Sequence, residues 1–251
     1  MRIGAHCVLF KQRIQTETGD ILSGFAGAGY QGVELGSRFF GVTEKTKLTE
    51  ALDRSGIELA GMHVGLSVPE LADMTAAAAK VLAVAEFLQG FPNRNIVLSG
   101  SGFEGADLKQ AAQNYNAVAE RCAGRGAAIH YHNHAPEFAG GMEVFKHLVE
   151  YAPALCFGVD LGWVYKAGVN PVSVIRDYAD RIRYVHLRDA DTAEGREFAE
   201  LGQGRMDLPG LLSAMTNALS VDCWVIVENE DGPEDMDRYA EARRYLKGIG
   251  Y

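Results

Sequence analysis

"AAIHYHNHAPEF" (residues 127–138) begins as an apolar run and ends on ionisable groups. Three of the chain's seven histidines, His130, His132 and His134, stand here at every second position, with Glu137 close behind. Read as a strand, that spacing puts all three rings on one side. The apolar residues between them leave no polar outer face. A strand of that kind is buried on both sides, as in a parallel sheet covered by helices.

The same pattern recurs along the chain. Short apolar runs occur at "RIGAHCV" (2–8), "GVEL" (32–35), "IELAGMHVG" (57–65), "NIVLSG" (95–100), "AAIHYHNH" (127–134), "LCFGVD" (155–160), "IRYVHL" (182–187) and "CWVIVE" (223–228). Between them lie helical patterns. Leu71, Met74, Ala78, Leu82, Ala85 and Leu88 mark one apolar face over 69–89. Leu108, Ala111, Tyr115, Val118 and Cys122 mark another over 106–124, both near a 3.6-residue period. Further helices are expected at 18–29, 44–55, 141–151, 171–179, 207–219 and 235–247. Thr43 and Asp207 are the expected helix starts, and Gly56 and Gly126 the expected stops.

Eight strands alternating with eight helices fit a (β/α)8 TIM barrel formed as a single domain over 1–251. A doubly wound sheet would place a phosphate-binding glycine fingerprint after its first strand. "AHCVLFKQR" has none.

Composition narrows the function classes. The chain has 251 residues, 47% of them hydrophobic, enough for a large core. Its net charge of −9 disfavours a nucleic-acid partner, which calls for a basic face. Four widely spaced cysteines, with no CxxC pair, read as buried free thiols rather than a disulfide framework or zinc ribbon. No apolar run reaches the 18 residues of a membrane span, and "MRIGAHCVLF" lacks the features of a leader, so a cytoplasmic protein is expected.

In such a barrel the chemistry sits at the C-terminal ends of the strands. The runs close, in order, on His6, Glu34, His63, Ser99, His132 with His134 and Glu137, Asp160, His186 and Glu228. A hydrophobic core has no use for such groups unless they are paired or bound to something. Carboxylates and imidazoles converging on one point are ligands for a divalent ion such as Mn²⁺, Co²⁺ or Zn²⁺. The absence of a thiolate from every strand end argues against structural zinc.

The ordered set "GVELG", "GMHVG", "HYHNHAPEF", "FGVDLGWVYKAGVNP", "YVHLRDA", "ELGQGRMDLPGLL" and "VIVENE" resembles the strand-end motifs of the xylose isomerase-like TIM barrels. The sugar phosphate isomerase/epimerase type is the nearest group. Inosose dehydratase, hydroxypyruvate isomerase, ketose 3-epimerases and an apurinic endonuclease are related branches. The resemblance spans residues 1 to about 230.

It implies a divalent metal (Mn²⁺, Co²⁺, Zn²⁺ or Mg²⁺) held by residues of strands five to eight, with Asp160, His186 and Glu228 fitting directly. Strand five departs from the pattern: His132–Asn133 stands where many relatives carry Glu–Asn. Either His132 is the fourth ligand or Glu137 reaches back to the site. Glu137 is favoured, because a carboxylate neutralises a dication better. His132, His134 or Glu228 would then move protons, while His130, deeper in the run, serves the core.

His63 and Glu34 are expected to contact substrate, the alternatives being structural roles. Trp163 supplies either a flat wall for a sugar ring or core packing. Arg188 suits a substrate anion, or else forms a surface ion pair with Asp189 or Asp191. "GQGRMDL" (202–208) would close the mouth of the barrel.

The resemblance implies an isomerase, epimerase or lyase acting on a sugar, keto-sugar or polyol, with no organic cofactor. The imidazole on strand five moves the expectation from ketose epimerisation toward elimination. A non-catalytic barrel that only binds a ligand is the second reading. A DNA-repair nuclease is the third, and it lacks the further His and Asp ligands that its three metals need. A homo-oligomer is compatible with the sequence.

Overall fold

A computed structural model of the chain describes residues 1–190 and 198–251. Eight parallel strands close into a barrel: β1 (Arg2–His6), β2 (Gly32–Gly36), β3 (Glu58–Gly65), β4 (Asn95–Ser99), β5 (Ala128–His132), β6 (Cys156–Asp160), β7 (Ile182–Leu187) and β8 (Trp224–Val227). Each strand pairs with its sequence neighbours, and β8 returns to β1. The (β/α)8 barrel expected from the alternation of runs is the observed architecture.

The helices follow the apolar periodicity. Thr18–Ala28, Lys45–Ser55, Met74–Phe87, Leu108–Ala123, Leu208–Ala218 and Met236–Gly248 lie close to their expected positions. Asp207 caps its helix by accepting from the Gly210 N–H at 3.0 Å. Thr43 does not start a helix as expected. It lies inside a 3₁₀ turn, Val42–Glu44, that leads into Lys45–Ser55. Gly56 terminates that helix in the left-handed region (φ 66°), which glycine enters without a Cβ penalty.

Two segments depart further. A helix, Leu161–Lys166, starts directly after β6, ahead of the expected one at Pro171–Asp177. The helix expected from 141 begins instead at Ala135 and is broken at 139–142, where Gly140, Gly141 and Met142 all have positive φ. Among the described residues no helix is long and apolar enough to cross a membrane.

The barrel interior is layered. Ala60, Val97, Tyr184, Trp224 and Ile226 form an apolar cluster of their own at the floor, separate from the larger core between strands and helices. Trp224 lies so close to β2 that a Cβ on Gly32 would meet its ring at 2.5 Å. His130 lies in this deep region, its Nε2 3.0 Å from Asn95 Oδ1 and its ring against Tyr184. The four cysteines are unpaired. Cys7, Cys122 and Cys223 are buried and Cys156 is half-buried.

Candidate active site

Strand register brings the polar ends together. His6 pairs with Glu34, Ser99 with His132, and Asp160 with His186. Side chains that point inward at the strand ends therefore share one layer at the mouth of the barrel.

His186 lies at the centre of this layer. Its Nδ1 bonds Glu228 Oε2, and its Nε2 lies 2.8 Å from Glu34 Oε2. Burial pulls its pKa down, but the two carboxylates outweigh burial and hold it at about 10. It is therefore an imidazolium, donating from both nitrogens. Glu34 also accepts from His63 Nδ1 at 2.7 Å, while His63 Nε2 meets the Ser99 hydroxyl. An ionised Glu34 fixes the His63 tautomer with its proton on Nδ1 and Nε2 as acceptor. Burial lowers the His63 pKa, so this neutral form prevails at neutral pH.

Arg188 binds the remaining acids together. Its guanidinium is 2% exposed. It lies 2.8 Å from Asp160 Oδ2, 2.7 Å from Glu228 Oε1 and 2.7 Å from Glu230 Oε2. The expected substrate-facing arginine is thus turned inward onto carboxylates. Of the two acids weighed as its surface partners, Asp189 faces elsewhere and Asp191 lies outside the described residues. Asp160 Oδ1 accepts from the Trp163 N–H at 2.9 Å, and Asn133 bonds both the N–H and the carbonyl of Asp160. Burial raises the Asp160 pKa to about 6, with Arg188 opposing it. Glu228 feels the same burial but is held well below the usual carboxylate range by Arg188, His6 and His186.

Glu137 stands apart from this centre. Pro136 and Glu137 fall in the first turn of the helix after β5, and Glu137 Oε2 accepts from the His134 N–H at 3.1 Å. Its other oxygen takes the Tyr131 hydroxyl at 3.1 Å. Tyr131 alternates with His130 and His132, so it faces out of the barrel. Burial raises the Glu137 pKa to about 7.

His132 is the strand-five residue that reaches the centre. Its ring lies 4.5 Å from that of His186, and His132, Asp160 and His186 each offer a ligand atom within 4.8 Å of the other two. Two further groupings of this kind exist among the described residues, His6–His186–Glu228 and His6–Glu34–His63. His6 adds to the expected set. Its Nδ1 lies 3.0 Å from Glu228 Oε1, outside hydrogen-bond geometry. Its position at the end of the first run was the available signal.

These residues fit a divalent ion. His132 Nδ1 is buried without a hydrogen-bond partner, which is costly unless something occupies it. Charge agrees. Glu34, Asp160 and Glu228 are buried against Arg188 and a protonated His186, leaving one net negative charge. A dication replacing the His186 proton would bring the group to neutrality.

A cavity of about 840 Å³ opens onto this layer. His6, His63, Ser99, His132, His134 and Glu228 line its inner end. His134 is half-buried, and burial lowers its pKa, so its imidazole is neutral at neutral pH. Trp163 stands beside it with ring centroids 5.8 Å apart, edge-on to Phe198.

Asp189, beside Arg188 in sequence, organises the loop above. Its carboxylate accepts from the N–H groups of Gly202 (3.0 Å), Gly204 (2.9 Å) and Met206 (3.2 Å). A Cβ on Gly204 would lie 2.2 Å from Asp189 Oδ1, so only glycine allows this approach. The "GQGRMDL" segment is tied down in this way to the end of β7.

Comparison with known proteins agrees with this architecture. An inosose dehydratase of Geobacillus kaustophilus is 24% identical over an alignment covering 89% of this chain and 83% of that protein. A solved structure described as a probable 3-DHS dehydratase from Bacillus anthracis superposes with a TM-score of 0.80, at 14% identity, covering 98% of this chain and 99% of that one. A sugar phosphate isomerase/epimerase from Parabacteroides distasonis gives 0.78, at 16% identity, covering 98% and 97%. At these identities the structural likenesses establish the fold. The family model described as Xylose isomerase-like TIM barrel matches residues 25–249. With that match over nearly the whole barrel, the chain belongs to the xylose isomerase-like TIM barrel family.

Proposed function

We propose that this protein is a divalent-metal-dependent lyase that dehydrates a keto-sugar or inosose. The carrying observation is the His134 imidazole on the cavity wall, its ring 5.1 Å from that of His132 in the buried His132–Asp160–His186 group. The matched relatives named inosose dehydratase support the substrate class.

His132, Asp160 and His186 would hold the ion, with Glu228 facing them. When bound, the ion supplies Lewis acidity toward a ketone oxygen, which acidifies the adjacent C–H. His134 takes that proton. The electron pair left behind forms the new C=C bond as the C–O bond of the neighbouring carbon breaks. His134 then returns its proton to the departing hydroxyl, and water leaves. One imidazole thus serves both steps and ends neutral. Ser99 and His63, held in one tautomer by Glu34, orient substrate hydroxyls. Glu228, whose oxygens are engaged by His6, Arg188 and His186, fixes the arrangement rather than carrying the proton.

The test is NMR of inososes and keto-sugars incubated with the metal-loaded protein in D₂O. Loss of water to give an enone or its dione tautomer is expected. Epimerised ketose with no dehydrated product would replace this reading with an epimerase.

A further inference from the structure

The cavity extends well beyond the polar layer. From His134 and Glu228 it runs outward between two walls. One is the segment after β2, "RFFGV" (38–42). The other is the helix Met74–Phe87, which presents Lys80, Ala83, Val84 and Phe87. That spacing of three and four residues is one helix face. The helix therefore turns a stripe toward the arm, with Phe87 and Val84 buried and Ala83 and Lys80 exposed.

The opposite wall carries two phenylalanines and a valine beside Ser37 and Arg38. Phe40 is buried and Phe39 is half-buried, with the Arg38 guanidinium stacked 4.6 Å over the Phe39 ring. Val42, on the lip, is 82% exposed. Among the described residues it is one of two large apolar side chains left in water, the other being Val221.

A monosaccharide ring does not account for this arm. Pockets of roughly 300–1,000 Å³ serve drug-sized ligands, and this cavity lies in the upper part of that range. A sugar presents hydroxyls, which Phe39 and Val42 cannot satisfy, and the Lys80 and Glu70 side chains on the same cavity are paired with each other at 2.6 Å. An aromatic ring matches Phe39 and Val42 in shape and chemistry, and a stacked guanidinium adds a planar cation at its edge.

We infer that the substrate carries an aromatic substituent on its sugar or cyclitol ring, seated between residues 38–42 and the 80/83/84/87 face of the helix. The inference rests on the functional reading for the position of the ring, with the substituent as the added element. It makes Phe39 and Val42 specificity-determining residues for the distal part of the substrate.

The test is isothermal titration calorimetry on the intact protein with two unreactive probes, phenyl β-D-glucopyranoside and methyl β-D-glucopyranoside. The wild type is expected to bind the phenyl probe about tenfold tighter, as burial of one aromatic ring warrants. Val42→Asp, at an exposed position where folding is little affected, and Phe39→Ala should each reduce the preference to about twofold or less. Equal affinity for the two probes overturns the inference, as does a phenyl preference that survives both substitutions. Absence of heat from the phenyl probe up to its solubility overturns it as well. The two readings fail separately. Dehydration of an unsubstituted keto-sugar without phenyl preference sinks this inference alone. Phenyl preference without turnover of any keto-sugar sinks the functional reading alone.

Discussion

Replacing Arg188 by methionine removes a cation that the buried carboxylates of Asp160 and Glu228 share. The guanidinium is 2% exposed and lies 2.8 Å from Asp160 and 2.7 Å from Glu228. Its third partner, Glu230, has a side chain 41% exposed, and water can solvate it after the change. Methionine keeps much of the stem but leaves Asp160 and Glu228 facing each other. Removing one partner of a buried ion pair costs about 3–5 kcal/mol, because the other charge stays buried. Asp160 keeps the Trp163 N–H, and Glu228 keeps His186, so the estimate is not doubled. At roughly 2–4 °C per kcal/mol for a chain of this size, the melting temperature should fall by about 6–20 °C. Urea unfolding followed by far-UV circular dichroism, in chelator, measures the loss. It should shrink at acid pH, where the stranded acids take up protons. Adding Asp160→Asn to the Arg188→Met protein should restore part of the stability. A loss under about 1 kcal/mol, or none recovered by the second change, would refute a shared buried guanidinium as the element that holds these acids.

Other outcomes follow from the same geometry. Glu137→Gln should leave Mn²⁺ affinity, read by calorimetry, within about threefold of wild type, while His132→Asn lowers it by about tenfold or more. Glu137 itself carries a pH signature. Its pKa is raised from an unfolded value near 4.5 to about 7, so the folded state holds the extra proton and stability declines as pH rises through that window. Thermal melts across pH 4.5 to 7 should show that decline in the wild type and a flatter profile in Glu137→Gln. His134→Gln should lower kcat by about 10²–10⁴ with bound metal unchanged by elemental analysis. Asp189→Ala should speed hydrogen exchange at the amides of Gly202, Gly204 and Met206, which lose their acceptor.

The barrel was legible because each strand is an apolar run closed by one polar residue, and because the helices between them keep a 3.6-residue period. Asp160 and His186 are brought together by strand register, which motif order carries, while Glu34 reaches His186 across the closed barrel. Glu137 shows where the sequence leaves the geometry open. Its distance from His132 says nothing of where the strand stops and the helix begins. The decisive signal was local: Pro136 and Glu137 in "HAPE" suit the first turn of a helix, where a glutamate bonds back to the N–H of the cap residue. The Arg188 contacts were illegible for a different reason. Nothing in "HLRDA" states that a carboxylate at the end of β6 and two just past β8 converge on that guanidinium, a contact between elements that only the closed barrel creates. The break at 139–142 was half legible in Gly140–Gly141, since paired glycines permit left-handed backbone without requiring it.

The central claim is that ketone-directed elimination depends on a divalent ion held at the ends of β5 to β7. The direct measurement is turnover of an inosose by purified protein before chelator treatment, after it, and after Mn²⁺ or Co²⁺ is returned, with metal content determined on each sample. The account predicts one ion per chain in the active protein, loss of dehydration when it is stripped, and recovery on its return. Undiminished dehydration by protein shown to be free of metal would contradict it.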